Sequence, residues 1–275
     1  MTTIQLNHIS DQDIASFQEK ILFFYKKNKR QLPWRNTTNP YHILLSETML
    51  QQTQVPRVID YFHRWIQQWP SIHDLAQAPR TEVIKAWMGL GYNNRAIRLH
   101  QTAHIISKQY QGDVLLALNE YNKLPGIGPY TATAIRIFAA NEDQVTVDTN
   151  IRRIFIHEFH LSESVSDKDL WALAQRCLPK GKSRDWHNAL MDYGSLVLTS
   201  RKTKISPKTK QSRFEGSDRQ LRGNILRVVL EKPMAFTDLD ELLEVQKQRL
   251  QKILDQLQQD GVLQEQHGIY SIKES

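Results

Sequence analysis

Residues 124–153 read LPGIGPYTATAIRIFAANEDQVTVDTNIRR, and the fold follows from this stretch. Leu124-Pro125-Gly126-Ile127-Gly128 is a tight turn between two helical patterns, with glycines where a Cβ would keep a ligand off the backbone. Successive N–H groups of such a turn, followed by the N-terminus of a helix that Pro129 opens, form a ready site for an anion. The same residues also fit an ordinary helix-turn-helix connection in which the glycines only cap. Further on, Val147-Asp148-Thr149-Asn150 follows an apolar rim and precedes Ile151-Arg152-Arg153. Asp148 there is an N-cap, accepting N–H bonds from Asn150 or Ile151. A carboxylate so placed is also held ionised by the helix dipole, a fixed negative charge suited to stabilising a cation.

Outward from this stretch the apolar residues keep a helical period. Ile14, Phe17, Ile21 and Tyr25 predict a first helix over residues 10–25, which Leu32-Pro33-Trp34-Arg35 breaks. Helical patterns recur over 41–52, 55–69, 71–78, 80–88, 95–110, 114–124, 130–140, 150–159, 167–178 and 185–198. Strand-like alternation is scarce, so residues 1–198 read as an all-α body of many short helices. Residues 199–217 read as a basic linker, and the composition then changes. Over 218–275 three helices are expected, at 219–230, 236–243 and 246–259, followed by a two-stranded hairpin around His267-Gly268. That succession suggests a small winged-helix-like module, a type that often reads DNA through its third helix, although with its acidic balance a packing or partner role fits it equally.

Length and composition set bounds. At 275 residues, 40% apolar and 24% charged, the chain has the make-up of a soluble globular protein with room for more than one core. The N-terminus has no apolar run fit for a signal peptide or a membrane span, so the protein is expected to stay inside the cell, in the cytoplasm and on the nucleoid if bacterial, and off membranes. Its single cysteine, Cys177, excludes an intramolecular disulfide and any cysteine-based zinc or iron–sulfur site built from this chain alone. The formal net charge is +7, and residues 199–213 hold Arg201, Lys202, Lys204, Lys208, Lys210 and Arg213 without an acid, so +6 lies in that stretch. Such a run suits phosphates, and equally a solvated tether. From Phe214 onward eight Lys and Arg stand against eleven Asp and Glu, a balance of −3 that makes the tail a poor main grip on DNA.

A second candidate for chemistry is YHILLSETMLQQTQV, residues 41–55. Glu47 stands on a helix among Ile43, Leu44, Leu45, Met49 and Leu50, where burial would disfavour its charged form and suit it to general-acid work. A helix glutamate paired to a nearby arginine is the plainer reading of the same segment. Gln51-Gln52-Thr53 is a polar run able to face base edges, or the fraying end of the helix. One carboxyl kept protonated and one kept ionised is the usual arrangement for cleaving a glycosidic bond. Other local signals do not compete. His157-Glu158-Phe159-His160 lacks the zincin frame, and Gly126-Ile127-Gly128 has no third glycine and follows a helix.

In this order along the chain stand PWR (33–35), SETMLQQTQV (46–55), WMGLGYNNRA (87–96), LPGIGPYTA (124–132), VDTN (147–150) and NALMDYG (188–194). Together they resemble the adenine DNA glycosylases of the MutY type, within the helix-hairpin-helix superfamily that also holds endonuclease III, and they cover most of residues 14–198. The resemblance implies a catalytic body over 1–198 made of two α-helical subdomains with the active site between them. It implies that Glu47 protonates the departing base and helps supply water, and that Asp148 stabilises the sugar cation. It also implies that Gly126 and Gly128 hold a phosphate of the lesion strand and that Trp34, Arg35, Tyr130 and Asn188 line the base pocket. Gln52, Thr53, Leu90 and Tyr92 would touch DNA, with Gln52 and Tyr92 as wedges in the duplex while the target nucleotide is flipped out. Strand-cutting relatives place a lysine amine where this chain has Tyr130, so a monofunctional enzyme is expected.

Three departures from the pattern are visible. The four cysteines that hold an iron–sulfur cluster in the family are missing, and the basic segment 199–217 stands in place of the cluster loop, so no cofactor or metal is expected. Arg201, Lys202, Lys204, Lys208 and Lys210 are then the expected phosphate contacts. Asn188 stands where the family generally has a longer Gln or Glu, and the short helical tail does not read as the family's Nudix-like domain for reading 8-oxoguanine. The expectation is therefore a monomeric DNA N-glycosylase acting on mismatched or oxidised double-stranded DNA, with adenine the leading base. A thymine or deaminated-purine mismatch glycosylase, and a non-catalytic winged-helix DNA-binding protein, are the alternatives.

Overall fold

The structure, a computed structural model, describes Leu6, residues 8–206 and residues 213–274. Its helices are α1 (Asp11–Asn28), α2 (Pro40–Leu50), α3 (Val55–Gln68), α4 (Ile72–Gln77), α5 (Arg80–Trp87), α6 (Asn94–Gln109), α7 (Val114–Ala117), α8 (Pro129–Ile135), α9 (Thr149–Glu158), α10 (Asp167–Cys177), α11 (Ser183–Leu196) and α12 (Ser200–Thr203). The tail adds α13 (Asp218–Glu231), β1 (Met234–Ala235), α14 (Phe236–Leu243), α15 (Lys247–Gln259), β2 (Leu263–Gln266) and β3 (Ile269–Ile272). Local sequence explains where several begin. Ser10 and Asp13 close a reciprocal capping box on α1, as Ser71 and Asp74 do on α4, each satisfying two otherwise orphan N–H groups.

Two compact units emerge. The first comprises Met1–Leu44 with Gly128–Lys210, and the second Leu45–Ile127 with Gln211–Ser275. In the first, Phe17 of α1 meets Phe155, Phe159 and Trp186 edge-on, with ring centroids 6.0, 5.0 and 5.7 Å away, inside a core shared by α1, α9, α10 and α11. In the second, Trp65 packs edge-on against Trp69 and Trp87 at 4.7 and 5.5 Å. The tail has its own apolar cluster, including Leu221, Ile225, Leu250, Ile253, Leu254 and Leu257, which Ile84 of α5 and Ile97 of α6 complete.

The chain departs from the expected elements at instructive places. The helix expected over 41–52 stops at Leu50, and Gln52 turns into the left-handed region with φ +59°. The pattern over 114–124 splits into α7 and a 3₁₀ segment, Leu118–Lys123, and α8 runs into a wider π-type turn, Arg136–Ala140, closed by Asn141 at φ +54°. In the tail the expected hairpin forms, with His267 and Gly268 both at positive φ as a two-residue type I′-like turn requires. Two residues, Met234 and Ala235, add a third strand, giving an antiparallel sheet in the order β1-β3-β2. A strand that short shows no alternation to read.

Candidate active site

The first unit carries the residues expected around the base. Asp148 caps α9, its Oδ1 accepting the Ile151 N–H at 2.7 Å and its Oδ2 the Asn150 side-chain amide at 2.9 Å. Burial pushes its carboxyl above the ordinary aspartate range, while those hydrogen bonds and the charge of Arg153 act in the opposite sense without reversing it. The cap is thus the one expected, but desolvation, which the sequence could not show, outweighs the dipole's pull toward the anion. Arg153 extends the support: it donates to Asn150 Oδ1 at 2.8 Å and to the carbonyls of Gly194 and Leu198 at 2.9 and 2.6 Å. A Cβ at Gly194 would stand 3.2 Å from Asn150 and Ile154, so the VDTN and NALMDYG segments meet where a glycine lets α9 and α11 pack closely.

Trp34 and Asn188 are buried, whereas Tyr130, at the start of α8, is half-exposed. The Arg35 side chain is buried against α11. Its guanidinium grips Asp192 of α11 bidentately at 2.7 and 2.8 Å, and Arg30 adds a backbone N–H at 3.0 Å and a side-chain bond at 2.5 Å. Burial alone would raise the Asp192 carboxyl, but these donors hold it below its usual range. The Pro33–Arg35 turn is thereby fastened to the helix that presents Asn188. His187 does a similar task on the other side of Asn188: its Nε2 accepts the Thr146 N–H at 3.2 Å and its Nδ1 lies 2.7 Å from the Ser183 carbonyl. Burial lowers its pKa to about 4, so the ring stays neutral and able to accept.

The second unit carries Glu47 and the turns expected to enter DNA. Glu47 keeps partial solvent access on a stretch where Leu45, Ser46, Thr48 and Met49 are buried. The helix end just beyond it is held by Arg95, which the sequence reading named only within a motif. This guanidinium donates to the carbonyls of Thr48, Met49 and Gln51 at 2.8, 2.9 and 2.6 Å, placing a cation at the C-terminus of α2. It also donates to Thr53 Oγ1 at 3.0 Å and to the carbonyls of Leu90 and Gly91 at 3.2 and 2.8 Å. One buried side chain therefore ties the Gln52 turn to the Tyr92 turn. Tyr92 is itself left-handed, with φ +48°, and Gly89 and Gly91 stand at φ +100° and +74°.

The hairpin is anchored from α6, where Thr102 Oγ1 donates to the Pro125 carbonyl at 2.9 Å. Gly126 has φ +80°, and a Cβ there would sit 3.1 Å from Arg98. Gly128 has ordinary backbone angles and open space where its Cβ would be. Arg201, Lys202 and Lys204 are exposed on or beside α12, which Thr199 caps; Lys208 and Lys210 lie outside the described residues. Ile205 packs on the first unit's core and the Ser206 N–H reaches Glu163 at 3.2 Å, so this part of the basic stretch is fastened down.

The four thiolates of an iron–sulfur cluster cannot come from this chain. Its one cysteine, Cys177, is buried in the core, where desolvation pushes the thiol up to about 12. Among the described residues no group of three or more His, Cys, Asp or Glu could hold a metal ion, and no helix is long and apolar enough to cross a membrane.

Comparison with known proteins agrees with these motifs. Residues 45–180 match the HhH-GPD superfamily of base excision DNA repair proteins. The adenine DNA glycosylase of Mycolicibacterium smegmatis is 34% identical over 90% of this chain and 92% of its own. That of Mus musculus is 34% identical over 78% of this chain, which spans 44% of the mouse protein. Among solved structures, a thermostable thymine-DNA glycosylase superposes with a TM-score of 0.64 and 29% identity, over 73% of this chain and 92% of that one. With a relative alike along nearly its whole length and the single cysteine fitting a variant without the cluster, the chain belongs to the adenine DNA glycosylase family of the HhH-GPD superfamily.

Proposed function

We propose that the protein is a monofunctional DNA N-glycosylase of base excision repair, which removes adenine mispaired with 8-oxoguanine or guanine and works as a monomer without a cofactor. The observation that carries this reading is the Asp148 carboxylate, fixed at the start of α9 by Ile151 N–H and the Asn150 amide and backed by Arg153. A rigid, partly desolvated anion is suited to the oxocarbenium ion that forms when a base departs. Glu47, with partial access to solvent, protonates the base and takes a proton from the attacking water, turning a poor leaving group into a good one. Tyr130 has no amine, so no Schiff base forms and an abasic site is left. Gln52 and Tyr92, on turns locked together by Arg95, fill the duplex while the nucleotide is flipped out.

Base release from defined duplexes tests this. Adenine opposite 8-oxoguanine or guanine should be released, with Glu47→Gln slower by about 10²- to 10⁴-fold and Asp148→Asn by about 10²- to 10³-fold, binding being largely retained. Near-normal release by either variant would sink its assigned role. A second reading has one observation behind it: Asn188 is shorter than the Gln or Glu that the resemblance expects in the base pocket. Release of thymine opposite guanine, but not of adenine, would favour it.

A further inference from the structure

The tail is acidic and the catalytic reading assigns it nothing, yet it is built onto the second unit. Arg80 of α5 donates its guanidinium to the carbonyls of Gly261 and Lys273 at 3.0 and 2.9 Å, and its backbone N–H to Glu274 at 2.8 Å. Arg222 of α13 reaches Asn94 at 2.9 Å and Asp260 at 2.6 Å, and Asn94 donates to Asp260 at 2.8 Å. This docking sets the first turn of α13 beside Tyr92. The Arg219 guanidinium carbon lies 4.8 Å from the centroid of the Tyr92 ring and 5.4 Å from that of Phe214, and its Nη1 donates to the Tyr92 hydroxyl. A second guanidinium, that of Arg95, lies 5.7 Å from the same ring.

We propose that Arg219 is a positioning residue through which the C-terminal module braces the Tyr92 turn, holding the ring in the attitude with which it enters the duplex. The proposal rests on the reading of Tyr92 as a wedge. Physical reasons converge on it. Tyr92 occupies a backbone region that residues with a Cβ adopt at a cost, directly after two glycines, Gly89 and Gly91, that add freedom, so the turn needs restraint from outside. A planar guanidinium that both faces an aromatic ring and bonds its hydroxyl fixes the ring's direction as well as its place. Pre-setting the ring removes an ordering cost that insertion would otherwise meet. Charge also decides between roles: with eight basic against eleven acidic side chains the module is a poor phosphate clamp, while a brace needs only one well-placed arginine.

The test uses the full chain and a mismatched duplex with 2-aminopurine beside the target, whose fluorescence reports unstacking. Arg219→Ala should reduce the fluorescence gain and weaken mismatch binding about tenfold, with the salt dependence unchanged and no further loss when combined with Tyr92→Ala. Arg219→Lys should fall in between, since it keeps the charge and loses the plane. Phe214→Ala, expected to act in the same direction by about threefold, keeps the test open should Arg219→Ala unfold the module, which thermal melting would reveal. Losses that add to those of Tyr92→Ala, together with a salt slope smaller by about 0.9, would make Arg219 a direct phosphate contact and overturn the brace. Unchanged fluorescence in Arg219→Ala and Phe214→Ala, with Tyr92→Ala defective, would also overturn it. If Tyr92→Ala itself unstacks DNA normally, the wedge reading fails and the brace falls with it.

Discussion

At the scale of single residues, the two glycines of the hairpin make different demands. Gly126 is required by its own backbone at φ +80° and by Arg98, whereas among the described residues nothing stands within 4 Å of where a Cβ on Gly128 would be. Gly128→Ala should therefore fold with unchanged melting temperature and bind DNA more weakly, and Gly126→Ala should lose stability by about 1 kcal/mol or more. Equal DNA affinity for Gly128→Ala would mean that no phosphate approaches that position. Asp148 supplies a pH test. Its raised pKa places the acid limb of kcat above the ordinary aspartate value of 3.8, and Asp148→Asn should abolish that limb along with most turnover. For stability the sign is opposite: the folded protein holds the proton more tightly than the unfolded chain, so this group destabilises at neutral pH. That penalty is relieved as pH falls through the raised pKa, and Asp148→Asn should melt at or above the parent temperature at pH 7. Tyr130 gives a third outcome: borohydride should not trap the protein on its substrate strand, and strand scission should need added alkali.

At the scale of elements, isolated arginines do the joining. Arg95 closes the C-terminus of α2 and both turns expected to enter DNA, with six hydrogen bonds from two nitrogens. Arg95→Lys cannot reproduce that fork, so both Arg95→Lys and Arg95→Ala should impair duplex unstacking, the alanine also costing about 3–5 kcal/mol in stability because several buried carbonyls lose their donor. Arg35 and Asp192 fasten the Pro33–Arg35 turn to α11, with side chains 5% and 0% exposed. Removing Arg35 alone leaves a buried carboxylate short of donors and should cost about 3–5 kcal/mol in urea unfolding. A variant of normal stability would show that Arg30 and solvent suffice.

On the scale of the whole molecule, charge is the distributed property. Arg201, Lys202 and Lys204 are exposed on a segment fastened to the first unit, whereas Arg213 is paired with Glu215 at 2.8 Å. Changing the first three to glutamine should lower the slope of log affinity against log salt by about two units, with little change in which mismatch is preferred. An unaltered slope would return the main grip to the hairpin around Gly126 and Gly128.

By itself the sequence determined the helical body, the order of its motifs and the family, because a helix declares itself in the period of its apolar residues and a motif in its spacing. The start of α9 was legible for a similar reason, the Asp148 cap being a contact between residues three apart. Only tertiary structure decided what that cap experiences. Desolvation of Asp148, the commitment of Arg35 to Asp192 and the six bonds of Arg95 all come from groups far apart in the chain. The tail shows the same divide: its three helices could be read from period alone, but its third strand forms only where residues 234–235 meet 269–270, and the contact of Arg219 with Tyr92 only where α13 meets the turn before α6.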